Sequence, residues 1–205
     1  MHEWLTGALA AFAVIVPVEL PDKTFVATLV LSTRYRPWPV WAGAVLAFGV
    51  QCVLAGAAGR LVALLPALPV RILVTLLFLA GAVLLVRGAR AADQELAEQE
   101  QEYAQKAGGR RTGWRAFGAT FLVLFLAEWG DLSQLLTAGL VASGRPVGSV
   151  VVGAWLGLAA VAGLGVPLGR LLLRHVRLQI IRYVGAVICL VLAALTVAAI
   201  VGELG

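Results

Sequence analysis

Residues that commonly build active sites are scarce in this sequence, which has two cysteines, two histidines and one methionine among its 205 residues. No cysteine or histidine pair has the spacing of a zinc site, so a zinc-stabilised domain is not expected. Cys52 and Cys189 each lie within an apolar run, which favours buried free thiols over a disulfide or a soft-metal site. The apolar runs also lack a Ser/His/Asp set, a catalytic histidine pair and a nucleotide-binding loop, which argues against an enzyme.

Charge is scarce as well, because Asp, Glu, Lys and Arg make up 13% of the sequence and hydrophobic residues 61%. Soluble domains average about a quarter charged residues. The mean hydropathy of +0.94 and several apolar runs of about 20 residues, the length that crosses a bilayer, predict an integral membrane protein whose partner is the lipid bilayer. The net charge of +5 does not predict nucleic-acid binding, since the basic residues lie at the ends of apolar runs.

The apolar runs predict an all-α polytopic fold with six transmembrane helices. An acidic stretch rich in helix formers separates two groups of three helices, and we interpret it as a solvated helical linker rather than a metal-sensing or gating segment. The expected units are a first repeat over residues 1–87, a cytoplasmic linker over 88–113 and a second repeat over 114–205. The expected helices cover residues 4–32, 38–65, 70–86, 114–142, 147–168 and 178–201.

The distribution of basic residues predicts the orientation in the membrane. Most of the Lys and Arg residues fall in the loops after the first, third and fifth predicted helices, whereas Arg60, Arg71 and Arg145 lie on the opposite side. The positive-inside rule places the richer side in the cytoplasm, so both termini are expected outside. The small size and the preference for Arg over Lys favour a bacterial protein of the inner (cell) membrane.

Acidic residues at membrane depth occur only in two matching motifs. Residues 18–24 read Val-Glu-Leu-Pro-Asp-Lys-Thr, and residues 127–134 read Ala-Glu-Trp-Gly-Asp-Leu-Ser-Gln. A charge inside a transmembrane segment is costly and indicates a functional site. Pro17 and Pro21 remove backbone donors beside the first motif, and irregular backbone at membrane depth occurs where it faces protein or a cavity. We therefore expect the first and fourth helices to be kinked or broken at the motifs.

The two halves align around these motifs at one constant offset. Because each half has three helices, an odd number, the two copies cross the membrane in opposite directions and form an inverted repeat. Transporters built in this way bind their substrate near the midplane, between the repeats. The matching residues are Glu19, Asp22, Thr24, Thr28, Arg36 and Pro37 with Glu128, Asp131, Ser133, Thr137, Arg145 and Pro146.

Both motifs place two acids three residues apart, which on a helix is one face, so four carboxylates can converge between the repeats. Oxygen ligands suit Mn²⁺, Ca²⁺ or Mg²⁺ rather than Cu⁺ or Zn²⁺. Crowded, desolvated carboxylates also bind protons when no cation is present, which predicts cation/proton exchange. A structural alternative for the first motif is neutralisation of Glu19 by Lys23. The expected metal ligands are Glu19, Asp22, Glu128 and Asp131, with Thr24, Ser133 and Gln134 as candidate further ligands.

At these residues the sequence resembles the transmembrane protein 165 family, small cation/proton exchangers with a duplicated Glu-x-Gly-Asp-Lys/Arg-Ser/Thr motif that include bacterial manganese exporters. The resemblance covers nearly the whole chain. It implies a secondary transporter, with no prosthetic group, that exchanges Mn²⁺ or else Ca²⁺ for protons and uses the motif acids as ligands.

Two positions depart from the family motif: Pro21 replaces the first glycine and Leu132 the second basic residue. Together with Lys23 and Gly130, Pro21 is an expected position of gating or proton coupling. The alternatives left open are an exporter of a small organic cation, such as a basic amino acid, and a cation channel. The oligomeric state is left open too.

Overall fold

The computed structural model describes residues 2–20, 23–90, 92–107, 109, 111–175 and 178–204. Within these ranges the regular structure is entirely helical, and no strand occurs. Four helices are long and apolar enough to cross a membrane, and up to six spans result if each of two bent helix pairs is one span. The all-α membrane fold expected from the sequence is therefore confirmed, with four to six candidate spans.

The helix bounds follow the apolar runs but differ from the expected ends. α4 begins before Pro69 and continues past Arg87, whereas the sequence predicted 70–86. Proline is tolerated in the first turn of a helix, where its missing N–H has no partner, and basic residues stabilise a helix C-terminus. The described helices are α1 His2–Glu19, α2 Lys23–Arg34, α3 Pro37–Val62, α4 Ala67–Arg90, α5 Ala92–Ala107, α6 Gly113–Ala127, α7 Leu132–Ala142, α8 Val147–His175 and α9 Leu178–Leu204.

Both motif-bearing segments are interrupted, as the sequence predicted. The pair α1 and α2 is bent by 67° and the pair α6 and α7 by 69°. α1 ends at Glu19. The next residue, Leu20, precedes a proline, and a residue before proline disfavours the helical conformation. α6 ends at Ala127, just before Glu128 of the second motif. Both interruptions thus bring helix ends to the two motifs.

α3 packs closely against α6, α7 and α8 and forms one wall around the second motif. Small residues allow this close approach, as is common between transmembrane helices. A Cβ atom at Gly43 would lie 2.6 Å from the carbonyl oxygen of Phe117 on α6, and one at Gly59 would lie 2.5 Å from that of Ala138 on α7. The backbones of α3, α6 and α7 are therefore in direct contact.

The linker helix α5 packs against α2, so its interpretation as a solvated segment is incomplete. Tyr103 is buried, and the Tyr35 hydroxyl donates a hydrogen bond to the Ala107 carbonyl. Tyr103 and Ala107 are four residues apart and form a narrow apolar stripe on an otherwise polar helix. Beside this stripe, Lys106 and Glu102 form an exposed ion pair of 2.5 Å, and the Lys106 ammonium lies 5.4 Å from the centre of the Tyr103 ring.

The contact between α3 and α6 predicts that Gly43→Ala destabilises the fold. The added methyl group meets backbone that cannot move without shifting a helix, and overpacking of this kind costs about 1–3 kcal/mol. Thermal unfolding in detergent should show a lower midpoint for this variant. Gly118→Ala is the matched control, because nothing lies within 4 Å of a Cβ at Gly118 on α6. Equal midpoints for the two variants would contradict the close packing.

Candidate functional site

Three acidic side chains from two distant parts of the chain meet at the helix breaks. Glu19, Glu128 and Asp131 each offer a carboxylate oxygen, and these oxygens all lie within 4.8 Å of one another. Glu19 is 0% exposed and Glu128 is 3% exposed. Among the described residues, this is the one group of His, Cys, Asp and Glu side chains whose spacing could hold a metal ion.

The second motif reaches this arrangement through a turn rather than through a shared helix face. Glu128 follows the last residue of α6, and Asp131 precedes the first residue of α7. Gly130 between them has a φ of +77°, a conformation that glycine adopts readily because it has no Cβ atom. The prediction that Glu128 and Asp131 share one face of a helix is therefore wrong, although their carboxylates do lie close together.

Apolar side chains surround the two buried glutamates. Val18, Leu124 and Leu136, from the segments that carry the acids, are almost completely buried and belong to one hydrophobic cluster. Charges interact more strongly in such surroundings than in water. A group of carboxylates in this position requires compensating positive charge or protons, which makes it a candidate cation site.

Each motif also contains a buried hydroxyl side chain, close in sequence to its acids. Thr24 is 0% exposed and Ser133 is 5% exposed. The buried Thr24 Oγ1 and Asp131 Oδ2 atoms form no hydrogen bond within the part of the chain that the structure describes. Buried oxygen atoms are normally hydrogen-bonded, and oxygen atoms of these two types are ligands that hard divalent cations accept. The donor set therefore fits such a cation.

Gln134 is engaged with the backbone of the turn. Its Nε2 donates a hydrogen bond to the Glu128 carbonyl oxygen at 2.6 Å, and its Oε1 accepts one from the Gly130 N–H at 3.2 Å. The side chain expected as a further ligand thus has both of its amide atoms bonded to the motif itself.

Part of the expected site cannot be placed. Pro21 and Asp22 lie outside the described residues, and so does the side chain of Lys23. The fourth carboxylate, the first gating position and the neutralisation of Glu19 by Lys23 therefore stay predictions. Leu132, the position without a basic residue, is partly buried and packs against the hydrophobic cluster.

Gln51, a single large polar residue within an apolar run, is a structural residue that the motifs did not predict. It is 3% exposed, and its Nε2 donates to the Phe125 carbonyl oxygen at 3.1 Å. The last carbonyl groups of a helix have no helical donor, so Gln51 on α3 supports the end of α6 where the break begins. An isolated amide in a transmembrane run was the signal for such a role.

Comparison with known proteins points to one family. Residues 7–93 and 116–203 match the sequence model described as divalent cation/proton antiporter GDT1. The chain is 33% identical to the chloroplastic protein PAM71 of Arabidopsis thaliana over 216 residues, which cover 96% of this chain and 58% of the relative. It is 30% identical to GDT1-like protein sll0615 of Synechocystis sp. over 193 residues, which cover 90% of this chain and 93% of the relative.

The chain thus spans less than two thirds of the length of the plant relative and nearly all of the cyanobacterial one. No solved structure matches it. The match covers most of the chain and both motifs, and it confirms the family resemblance that the motifs carry. The chain therefore belongs to the GDT1 family of divalent cation/proton antiporters.

Proposed function

We propose that this protein is a secondary transporter that moves Mn²⁺, or else Ca²⁺, across the membrane in exchange for protons. The observation that carries the proposal is the convergence of Glu19, Glu128 and Asp131, whose carboxylate oxygens lie within 4.8 Å of one another. Family membership supplies the general activity. The grouped acids form a site that a cation and protons can occupy alternately.

The ligand types favour a hard divalent cation. All three grouped side chains offer carboxylate oxygen, and no cysteine joins the group among the described residues. Sulfur ligands favour soft metals, whereas carboxylates and hydroxyls suit Mn²⁺ and Ca²⁺. We propose Asp22 as the fourth carboxylate, and Thr24 and Ser133 as neutral oxygen ligands.

Exchange for protons follows from the charge of the site. When no cation is bound, protons are the other charge that can neutralise carboxylates grouped this closely. The site then holds either a cation or protons, and movement of one in each direction completes an exchange cycle. The complete burial of Glu19 supports alternating access rather than an open channel.

We further propose that the chain forms two inverted repeats with six spans, over residues 1–87 and 114–205, joined by a cytoplasmic segment over 88–113. Two observations support this proposal: the family model matches each half in turn, and the two motif helices are bent by similar angles. Interrupted helices at the interface between repeats form substrate sites in other transporters. The basic loops orient both termini outside, in the inner membrane of a bacterium.

Loss of a grouped carboxylate should impair transport. Glu19→Gln, Glu128→Gln and Asp131→Asn keep the side-chain size but remove one ligand charge, and charged ligand contacts contribute about 1.5–3 kcal/mol. We expect each variant to raise the KM for Mn²⁺ or Ca²⁺ by at least about tenfold in proteoliposomes that contain a cation-sensitive dye. Asp22→Asn should have a similar effect.

The matched control is Glu100→Gln, which makes the same chemical change on the exposed face of α5 and should leave the KM unchanged. Detergent-solubilised variants must elute as folded protein for the comparison to hold. If two of the three grouped acids can be neutralised with full retention of transport, the proposed cation site is wrong.

Competition between cation and protons should be visible in the pH dependence. Protonated carboxyl groups bind cations poorly, so the KM for the cation should rise as the pH falls from about 8 to about 6. An outwardly directed proton gradient should accelerate cation uptake and should collapse as the cation enters, which a pH-sensitive dye inside the vesicles reports. A KM that is constant over this range, with no proton movement, would rule out proton exchange.

A further inference from the structure

The break between α6 and α7 is closed by a side chain rather than by backbone alone. Gln134 donates through Nε2 to the Glu128 carbonyl oxygen at 2.6 Å and accepts through Oε1 from the Gly130 N–H at 3.2 Å. These two bonds span residues 128–134, the segment that contains Glu128, Asp131 and Ser133. The Gln134 amide therefore connects the end of the motif to its beginning.

The turn has few other ways to satisfy its backbone. The Glu128 carbonyl also accepts the Asp131 N–H at 3.3 Å, a longer bond than the one from Gln134. The φ of +77° at Gly130 takes its N–H out of the helical pattern. A side-chain amide carries a donor and an acceptor in one rigid plane, so a single glutamine can satisfy both groups.

Gln134 connects the turn to a well-packed helix. It lies in the first turn of α7, whose residues Leu136 and Leu140 are 0% and 2% exposed. Backbone contact with α3 at Gly59 and side-chain contact with α4 at Gly139 hold the same helix. The turn thus takes its position from α7, which itself cannot shift without disturbing two neighbours.

The residue at the position equivalent to Gln134 differs in the first motif. At the offset that aligns Glu19 with Glu128, this residue is Phe25, which is 0% exposed. A phenyl ring has no amide donor or acceptor, so Phe25 cannot form the pair of bonds that Gln134 forms.

We propose that Gln134 is a positioning residue that holds Glu128 and Asp131 in the geometry required for cation binding, and that it does not bind the cation itself. The proposal rests on the proposed role of these carboxylates in transport. A ligand set that is arranged before the cation arrives binds more tightly, because less ordering accompanies binding. Gln134 accordingly sets the affinity of the second half of the site.

The test compares two variants of the intact chain. Gln134→Met preserves side-chain length and removes both bonds to the turn. The control Trp155→Phe removes one side-chain bond between α8 and the Val45 carbonyl of α3, away from residues 128–134. We expect Gln134→Met to raise the KM for Mn²⁺ by at least about fivefold with a maximal rate within about twofold of wild type. Trp155→Phe should lower the thermal midpoint but change the KM by less than about twofold.

Equilibrium dialysis with Mn²⁺ in detergent provides a second readout, in which Gln134→Met should bind the ion more weakly than wild type. Gln134→Asn keeps the amide but is one methylene shorter, so it should also bind weakly, and it replaces the methionine variant if that protein does not fold. A wild-type KM in folded Gln134 variants would overturn the proposal, as would an equal rise in Trp155→Phe. If Glu128→Gln also binds Mn²⁺ as wild type does, the proposed cation site is wrong as well. If Glu128→Gln loses Mn²⁺ binding while the Gln134 variants keep it, only the positioning role of Gln134 is refuted.

Discussion

Three carboxylates held within 4.8 Å of one another inside an apolar bundle impose the constraint on which this structure depends. Two of the three side chains are buried and the third is partly buried, so their charges must be compensated by positive charge or by protons. This requirement is the basis of the cation and proton exchange that we propose for the site.

The same constraint accounts for the broken helices. A continuous helix pairs its own backbone groups. The motif acids Glu19, Glu128 and Asp131 instead lie at or next to helix ends. At the second motif the break leaves backbone groups without helical partners, and side chains bond to them. Gln134 satisfies the turn, and Gln51 satisfies a carbonyl group at the end of α6. The amide side chains of Gln51 and Gln134 thus bond to backbone groups at or near Glu128.

Close packing holds these breaks in place. Glycine residues bring the backbone of α3 against α6 and α7, so the helices that flank the second break have little freedom to separate. The first break belongs to α1 and α2. α2 in turn packs against α5, and Tyr35, the residue after α2, donates a hydrogen bond to the Ala107 carbonyl of α5. The helix that links the two halves is thus connected to one of the two helices that carry the first motif.

The sequence alone determined the class of fold, the interruption of the motif helices and the identity of the central acids. Apolar runs, prolines and repeated spacing are local features that can be read along the chain. Helix ends were less predictable: α4 continues past Arg87 because a charged residue at a helix end need not terminate it.

Only the tertiary structure decided how the polar groups are used. The spacing of Glu128 and Asp131 suggested a shared helix face, but the positive φ of Gly130 presents them from a turn. The structure shows that Gln134, a candidate ligand, bonds to the backbone of the turn, and that the polar helix α5 contains a buried tyrosine. Hydrogen-bond partners depend on which distant segments come within about 3 Å, and no periodicity in the sequence records that distance.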